Sequence, residues 1–207
     1  MTQVRISALP VGSYQANCYL LEIPESQRCI VVDPGAEPDK ILDQIGRREV
    51  AAILLTHGHH DHIGAVEAVR RATGARAAIH PADAELLGAL KADESLADGA
   101  TLSFDGHTLR VFHTPGHTAG QVCFMLDDGR AIVGDTIFEG GPGKTWSAEG
   151  FRTTLHTLSS VVLAWPDDTV CYPGHGTPYR LGDIRPQVEA FLARQHPARF
   201  HGDATWE

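Results

Sequence analysis

Residues 57–62 concentrate the side chains with the greatest potential for chemistry in this chain. They read His-Gly-His-His-Asp-His, which places four imidazoles and one carboxylate in six positions. Imidazole nitrogens and carboxylate oxygens are the usual protein ligands of divalent zinc, manganese and iron, and a site for two such ions needs about six to eight of them. The cluster predicts a metal-dependent enzyme. A solvated histidine-rich loop is the simplest alternative.

Three later segments each place one histidine or aspartate directly after an apolar, strand-like stretch. These residues are His117, Asp135 and His175, and each has a glycine neighbour that permits a tight turn and close backbone approach. Each segment alone is weak evidence, because a lone histidine after a strand is more often structural. Together with the cluster at 57–62, they indicate one site assembled from several loops.

The elements that must position these residues alternate between strands and helices. Residues 51–55 form a continuous apolar run, typical of a strand buried on both faces, and the histidine cluster follows directly. Helical spacing then extends to a stop at Gly74, and Asp127-Asp128-Gly129 predicts a hairpin. Further helices are predicted over 37–47, 81–90, 151–165 and 184–196, and further strands over 4–9, 18–23, 29–32, 76–79, 111–113, 121–126, 131–133 and 169–172. Because both halves mix the two element types, we expect two packed sheets with helices outside.

Composition fits a single soluble domain over residues 1–207. No linker or charge block divides the 207 residues, and no apolar run reaches the roughly 18 residues that span a bilayer. The first residues lack the pattern of a signal peptide, so we expect a cytoplasmic protein. The formal net charge of −9 disfavours nucleic-acid binding, and four cysteines without CxxC spacing predict buried, reduced thiols.

The full set of motifs resembles the metallo-β-lactamase superfamily, whose hallmark is T-H-x-H-x-D-H followed by single His, Asp and His ligands. Thr56 begins this pattern here, and the resemblance extends from Asp33-Pro34-Gly35 to His175. It implies an α/β protein with an αβ/βα four-layer sandwich: two mixed sheets packed face to face, with helices outside and metals at one edge. The implied ligands are His57, His59 and His117 for one ion, Asp61, His62 and His175 for the other, and Asp135 for both.

The resemblance also implies the cofactors and the supporting residues. Two divalent ions are expected, zinc first, with iron or manganese as alternatives. Asp61 and Asp135 are the expected catalytic carboxylates, and Asp33 is the expected hydrogen-bond partner of a ligand histidine. Asp135 replaces the Cys of the main β-lactamases, and His59 replaces the Glu of the oxygen-reducing flavoproteins, so both activities are disfavoured.

Within the superfamily, the chain looks most like the glyoxalase II group, the hydroxyacylglutathione hydrolases. In that group a Gly-Cys-Gly-Lys-aromatic segment contributes to the thioester site, and Gly-Pro-Gly-Lys-Thr-Trp stands in its place here at 141–146. Lys144 and Trp146 are therefore substrate-site candidates, together with Tyr179 close after His175. Full-length members continue into a helical domain that holds glutathione, so this chain resembles the short bacterial form.

The implied reaction is hydrolysis of a small-molecule thioester such as S-lactoylglutathione, with a hydroxide between the two ions as nucleophile. One alternative is a mononuclear iron persulfide dioxygenase, which would use only His57, His117 and Asp135. Others are a lactonase, a phosphodiesterase or nuclease of the superfamily, and a non-catalytic nucleic-acid module. The sequence leaves the oligomeric state open.

Overall fold

Two six-stranded sheets form the centre of the protein, in a computed structural model that describes residues 3–207. The strands of the first sheet lie in chain order: β1 (Arg5–Val11), β2 (Ala16–Glu22), β3 (Arg28–Val32), β4 (Glu49–Leu54), β5 (Ala77–Ile79) and β6 (Glu94–Ser95). The second sheet runs β14-β13-β10-β9-β8-β7, and a two-stranded ribbon joins β11 to β12. Their bounds are β7 (Thr101–Phe104), β8 (His107–His113), β9 (Val122–Leu126), β10 (Ala131–Gly134), β11 (Ile137–Phe138), β12 (Gly141–Pro142), β13 (Val170–Pro173) and β14 (Tyr179–Arg180).

The helices cover the outer faces of the sheets. They are α1 (Pro38–Ile45), α2 (His60–Ile63), α3 (Val66–Thr73), α4 (Ala148–Ser160) and α5 (Leu181–Ala193), with 3-10 turns at Pro81–Leu87 and Val162–Ala164. Apolar residues form three clusters, one between each pair of neighbouring layers. In β2, for example, Leu20 packs towards α1 and α3 while Tyr19 and Leu21 pack between the sheets. The predicted four-layer αβ/βα sandwich is confirmed.

Several sequence predictions match the elements closely, and the differences have local causes. The hairpin at Asp127-Asp128-Gly129 joins β9 to β10, and α3 ends at Gly74 in the left-handed region. The helix predicted after the histidine cluster is instead split into α2 and α3. Ala65 donates its N–H to the carbonyl of Pro34 (2.9 Å), which takes that group out of the helical hydrogen-bond pattern. The segment predicted as a helix over 81–90 is a 3-10 turn.

Strand direction brings the candidate ligands to one edge of the sandwich. The β3–β4 and β10–β13 pairs are parallel, so the segments that follow these strands emerge at the same ends of their sheets. Asn17 joins the two sheets there, since its backbone N–H donates to the Gly174 carbonyl (2.7 Å) and its side chain donates to the Pro173 and Gly176 carbonyls. The loop that carries His175 is thereby held against the first sheet.

Two composition-based predictions concern the cysteines and membrane-spanning helices. All four cysteines are buried and free, as expected for reduced thiols. In the part of the chain from residue 3 onward, none of the helices combines the length and the apolar character needed to cross a bilayer. The prediction that the chain lacks a signal-peptide pattern concerns a segment whose first two residues, 1 and 2, lie outside the described range.

Candidate metal centre

Three histidines from two loops converge to form the first half of the centre. His57 and His59 follow β4, and His117 lies in the loop between β8 and β9. One ring nitrogen of each lies within 4.8 Å of the others, and the rings pack edge to face at centroid distances of 4.6–4.9 Å. We call these three residues the histidine trio. Neutral imidazoles at this spacing are typical ligands of a divalent transition metal.

Asp61, His62 and His175 form the second half, which we call the mixed trio. One ligand atom of each lies within 4.8 Å of the others. His175 Nε2 lies 3.3 Å from Asp61 Oδ2, and this hydrogen bond lowers the pKa of the aspartate to about 2. Asp61 therefore carries its charge throughout the physiological pH range.

Asp135 lies between the two trios. Its Oδ2 is 3.4 Å from Nε2 of His117 in the histidine trio, and its Oδ1 is 3.4 Å from Nε2 of His62 in the mixed trio. Two atoms that bind one ion at about 2 Å with tetrahedral angles are separated by this distance. The structure thus brings all seven sequence-predicted ligands together, with Asp135 between the two trios.

Buried atoms without partners show that this arrangement suits metal ions. Nε2 of His57, His62 and His117 and Oδ1 of Asp135 are buried and form no hydrogen bond with the described residues. Burying such atoms without a partner is costly, so their closeness to one another indicates ligand atoms. Gly174 leaves the room required, because a Cβ there would lie 2.0 Å from Asp135 Oδ1.

The opposite ring nitrogens have partners that fix the orientation of the rings. His62 Nδ1 contacts Asp33 Oδ2 (3.0 Å), which confirms the expected aspartate–histidine pair. Asp33 also accepts hydrogen bonds from the backbone N–H (2.7 Å) and the hydroxyl (2.6 Å) of Thr56. His117 Nδ1 donates to the Lys144 carbonyl (2.7 Å) and leaves Nε2 free to bind a metal.

The two trios differ in proton affinity. Burial lowers the pKa of His57 well below its ordinary value, and it lowers the pKa of His59 as well. Burial would also lower the pKa of His62, but the carboxylates of Asp135 and Asp33 outweigh it and raise the value to about 9. In the metal-free protein His57 and His59 are therefore prepared to bind a cation, whereas His62 must first lose a proton.

Asp83 is a residue of the centre that the sequence analysis missed. It is fully buried in the 3-10 turn, and its carboxylate accepts the N–H of Gly58 (3.0 Å) and of Gly120 (2.6 Å). These glycines lie in the two loops that carry the histidine trio, so Asp83 ties those loops together. An aspartate two residues after a proline is common at the start of a helix, so the sequence gives no signal of this role. Only the tertiary structure reveals it.

The three substrate-site candidates occupy different environments. Trp146 is 62% exposed, and its ring lies 5.9 Å from that of His59. Lys144 lies beside it, with Nζ 5.2 Å from the centre of the indole. Tyr179 is buried in the outer cluster under α4 and α5, where its hydroxyl donates to the Ile137 carbonyl (2.8 Å). The structure does not bring Tyr179 to the substrate side of the centre.

A cavity of about 520 Å³ opens beside the histidine trio. His59 and His117 form its inner end, and Trp146 and Leu86 lie on its walls. A volume of this size accommodates a small organic molecule, and its inner end meets the atoms that could hold a metal.

Comparison with known proteins identifies the family. A model of the metallo-beta-lactamase superfamily matches residues 11–175, a range that includes all seven candidate ligands. The chain belongs to this superfamily.

Two relatives illustrate the functions attributed to similar proteins. The chain is 36% identical over 188 residues to the Bacillus subtilis protein named probable metallo-hydrolase YqgX, covering 81% of this chain and 88% of that protein. It is 30% identical over 200 residues to hydroxyacylglutathione hydrolase GloC of Haemophilus influenzae, covering 86% of this chain and 94% of that protein.

Solved structures share the fold. BLEG-1 B3 metallo-beta-lactamase superimposes with a TM-score of 0.81 at 27% identity, covering 88% of this chain and 97% of that one. TTHA1623, solved in a di-iron-bound form, gives a TM-score of 0.71 at 30% identity, covering 86% and 96%. ETHE1 from Myxococcus xanthus gives 0.80 at 23% identity, covering 92% and 86%, which shows similarity of fold alone.

Proposed function

We propose that this superfamily member is a metal-dependent thioester hydrolase of the glyoxalase II type. The observation that carries the proposal is the convergence of seven ligand-type side chains on one space, where four buried ligand atoms have no hydrogen-bond partner and a cavity adjoins His59 and His117. The named hydroxyacylglutathione hydrolase at 30% identity supports this reaction class. The proposal includes one hydrolase domain over residues 1–207, two zinc ions and a cytoplasmic location.

The histidine trio, the mixed trio and Asp135 would hold the two ions. Such ions supply Lewis-acid chemistry, since they lower the pKa of water and stabilise the oxyanion that forms at a carbonyl. The protein supplies rigidity: Asp33 orients His62, the Lys144 carbonyl orients His117, and Asp83 fixes the loops around them. Because these partners are in place before the substrate binds, little reorganisation accompanies the reaction.

We propose Asp61 and Asp135 as the catalytic carboxylates. Their Oδ2 atoms approach the same ring nitrogen of His175, at 3.3 Å and 3.7 Å, so both border one space. Each can accept a hydrogen bond from the attacking water and orient it. A thiolate is a good leaving group that departs with little help from a general acid.

The cavity would hold the substrate with its carbonyl towards the metal centre. His59 and His117 form the inner end of the cavity, and Trp146 offers an exposed aromatic face at its side. Trp146 and Lys144 therefore remain our substrate-binding candidates, whereas the buried position of Tyr179 suits support of the β14 region.

A substrate panel combined with metal analysis tests the proposal. Metal-replete protein should contain two divalent ions per chain and should hydrolyse thioesters faster than lactones, phosphodiesters or β-lactams. Absence of thioester turnover, with rapid turnover of one of the other esters or lactams, would contradict it.

Adding glutathione persulfide to the panel separates hydrolysis from persulfide oxidation. A dioxygenase would need His57, His117 and Asp135 alone, whereas the structure also brings His59 and the mixed trio to the centre. One iron per chain, with oxygen consumption on glutathione persulfide, would favour the dioxygenase instead.

A further inference from the structure

We propose that the cavity beside the histidine trio selects thioesters by the charge of their thiol half. It favours a positive or neutral thiol over a negative one, and Glu85 and Glu149 determine this preference. The inference rests on the proposed thioester hydrolysis and names the substrate class more closely.

The cavity has exposed apolar side chains on its walls and candidate metal ligands at its inner end. Leu86 is 47% exposed and Trp146 is 62% exposed, and both line the cavity together with Pro115. Among the described residues, three large apolar side chains are strongly exposed, and two of them are these cavity residues. Apolar side chains left uncovered around a concave site indicate a surface that a ligand covers.

The charged groups of the wall are all acidic. Glu85 and Glu149 line the cavity from opposite segments, the 3-10 turn and the first turn of α4. Asp83 also borders it, but its carboxylate is buried and accepts two backbone N–H groups. The described lining contains no lysine or arginine. A negative thiol would therefore meet two exposed carboxylates of its own sign.

A lysine beside the cavity residue Trp146 is already paired. Lys144, beside Trp146, lies 3.2 Å from Asp203. The C-terminal segment is held in place there, because Thr145 and Gly202 exchange two backbone hydrogen bonds of 3.0 Å and 2.8 Å. Asp203 thus offsets the positive charge of Lys144, which would otherwise attract an anionic thiol.

The thiol of a glutathione thioester bears two carboxylates and one ammonium, a net charge of −1. The wall of this cavity opposes that charge, whereas a quaternary ammonium could contact Glu85 and Glu149 electrostatically and the Trp146 face by cation–π attraction. The expected preferred substrates are thioesters of cationic or uncharged thiols.

A matched series of lactoyl thioesters tests the inference. The thiols are thiocholine (positive), its carbon isostere 3,3-dimethylbutanethiol (neutral) and 3-mercaptopropionate (negative). Each kcat/KM is measured with the zinc-loaded protein and divided by the rate of hydroxide hydrolysis, which removes differences in leaving-group reactivity. We expect the positive ester to exceed the negative ester by about tenfold, and the difference to shrink at high salt.

Variants assign the preference to the named residues. Glu85→Gln/Glu149→Gln should reduce the ratio of positive to negative ester by about fivefold, because exposed charge pairs contribute modestly. Asp203→Asn should raise kcat/KM for the negative ester about twofold. The control Glu67→Gln/Glu189→Gln removes two exposed carboxylates on α3 and α5 and should leave the ratio unchanged.

Two failures can be told apart. If the wild-type protein hydrolyses the thioesters but Glu85→Gln/Glu149→Gln leaves the ratio unchanged, the inference is wrong and the proposed function stands. If no thioester is hydrolysed, the proposed function fails. Calorimetry with the corresponding non-hydrolysable thioethers on metal-free protein then tests the cavity independently, and equal binding of the three charges would overturn the inference.

Discussion

The metal centre and the wall of the adjoining cavity differ in how firmly their side chains are held. His62, His117 and Asp135 are largely buried, and hydrogen bonds from elsewhere in the fold orient the two rings. Trp146 and Leu86 lie nearby but are exposed. Buried hydrogen bonds fix the first region before any ligand binds, whereas the side chains of the second have fewer constraints.

This difference indicates separate roles for the two regions. Chemistry on a bound carbonyl requires ligands placed within a fraction of an ångström, which buried hydrogen bonds provide. Selection among substrates requires only apolar contact and charge, which exposed side chains provide. Substitutions in the centre should therefore reduce kcat and metal content, while substitutions in the wall should change KM.

Asp135→Ala should have the largest effect. It removes the carboxylate between the trios, so kcat/KM for a thioester should fall about a thousandfold, corresponding to several kcal/mol of lost metal-assisted stabilisation. Metal content should fall below two ions per chain. Asp43→Ala, which removes an exposed carboxylate on α1, is the control and should behave as wild type. Normal turnover by the Asp135 variant would contradict the bridging assignment.

Asp33→Asn should have the next largest effect. Asp33 has a φ of 51°, a left-handed conformation that asparagine also tolerates, so the backbone is preserved. The variant alters the acceptor for His62 and Thr56 without replacing any of the seven candidate ligands, and such outer changes typically reduce metal affinity or activity about 10- to 100-fold. Zinc competition with a chelator measures the change. Unaltered zinc affinity would show that the Asp33–His62 bond has no part in metal binding.

Asp83→Ala should weaken zinc binding at the two trios to different extents. It leaves the buried N–H groups of Gly58 and Gly120 without their acceptor, which should lower the free energy of unfolding by about 3 kcal/mol. Zinc affinity should fall at the histidine trio more than at the mixed trio, because only the former lies in the loops that Asp83 joins. Urea unfolding and stepwise zinc titration measure both effects. Equal weakening of the two trios would show a general loss of stability instead.

Trp146→Ala should affect the cavity wall alone. Loss of an exposed aromatic face should raise KM several-fold with kcat within about twofold, since only uniform binding is removed. Lys144→Ala should raise KM less, because Asp203 already pairs with the lysine. Steady-state kinetics with one thioester compares the two variants. A fall in kcat larger than the rise in KM would place Trp146 in the reaction itself.

In the metal-free protein, His62 and His57 should change protonation state at different pH values. His62 has a folded-state pKa raised to about 9, so its charged form stabilises the fold below pH 6.5, and this contribution disappears as the pH rises through 9. His57, with its lowered pKa, should stay neutral in the folded protein near pH 6. Imidazole nitrogen resonances measure both, and Asp33→Asn should lower the pKa of His62. Titration of His62 near pH 6.5 in the wild-type protein would contradict the raised pKa of this residue.

The sequence predicted the metal centre better than the cavity wall. Ligand residues follow directly from strands and lie beside glycines, so local patterns identify His117 and His175 as well as the cluster at 57–62. The sandwich follows from the apolar runs, and only local details such as the break between α2 and α3 depended on tertiary hydrogen bonds. No local pattern reveals that Asp83 joins two distant loops or that Asp203 reaches Lys144.

Tyr179 illustrates the limit of sequence proximity. It lies four positions after a candidate ligand, yet it belongs to β14, where its side chain enters the outer cluster. The direction of a side chain depends on which face of the sheet it occupies. A two-residue strand is too short to show the alternation of apolar and polar residues that would identify that face. The cavity wall likewise draws its residues from segments far apart in sequence.

Zinc titration of the metal-free protein, with thioester hydrolysis followed at each step, tests the central claim most directly. We expect saturation at two ions per chain, with hydrolysis reaching its maximum only as the second ion binds. Saturation at one ion with full hydrolytic activity, or two ions bound without any thioester turnover, would contradict it.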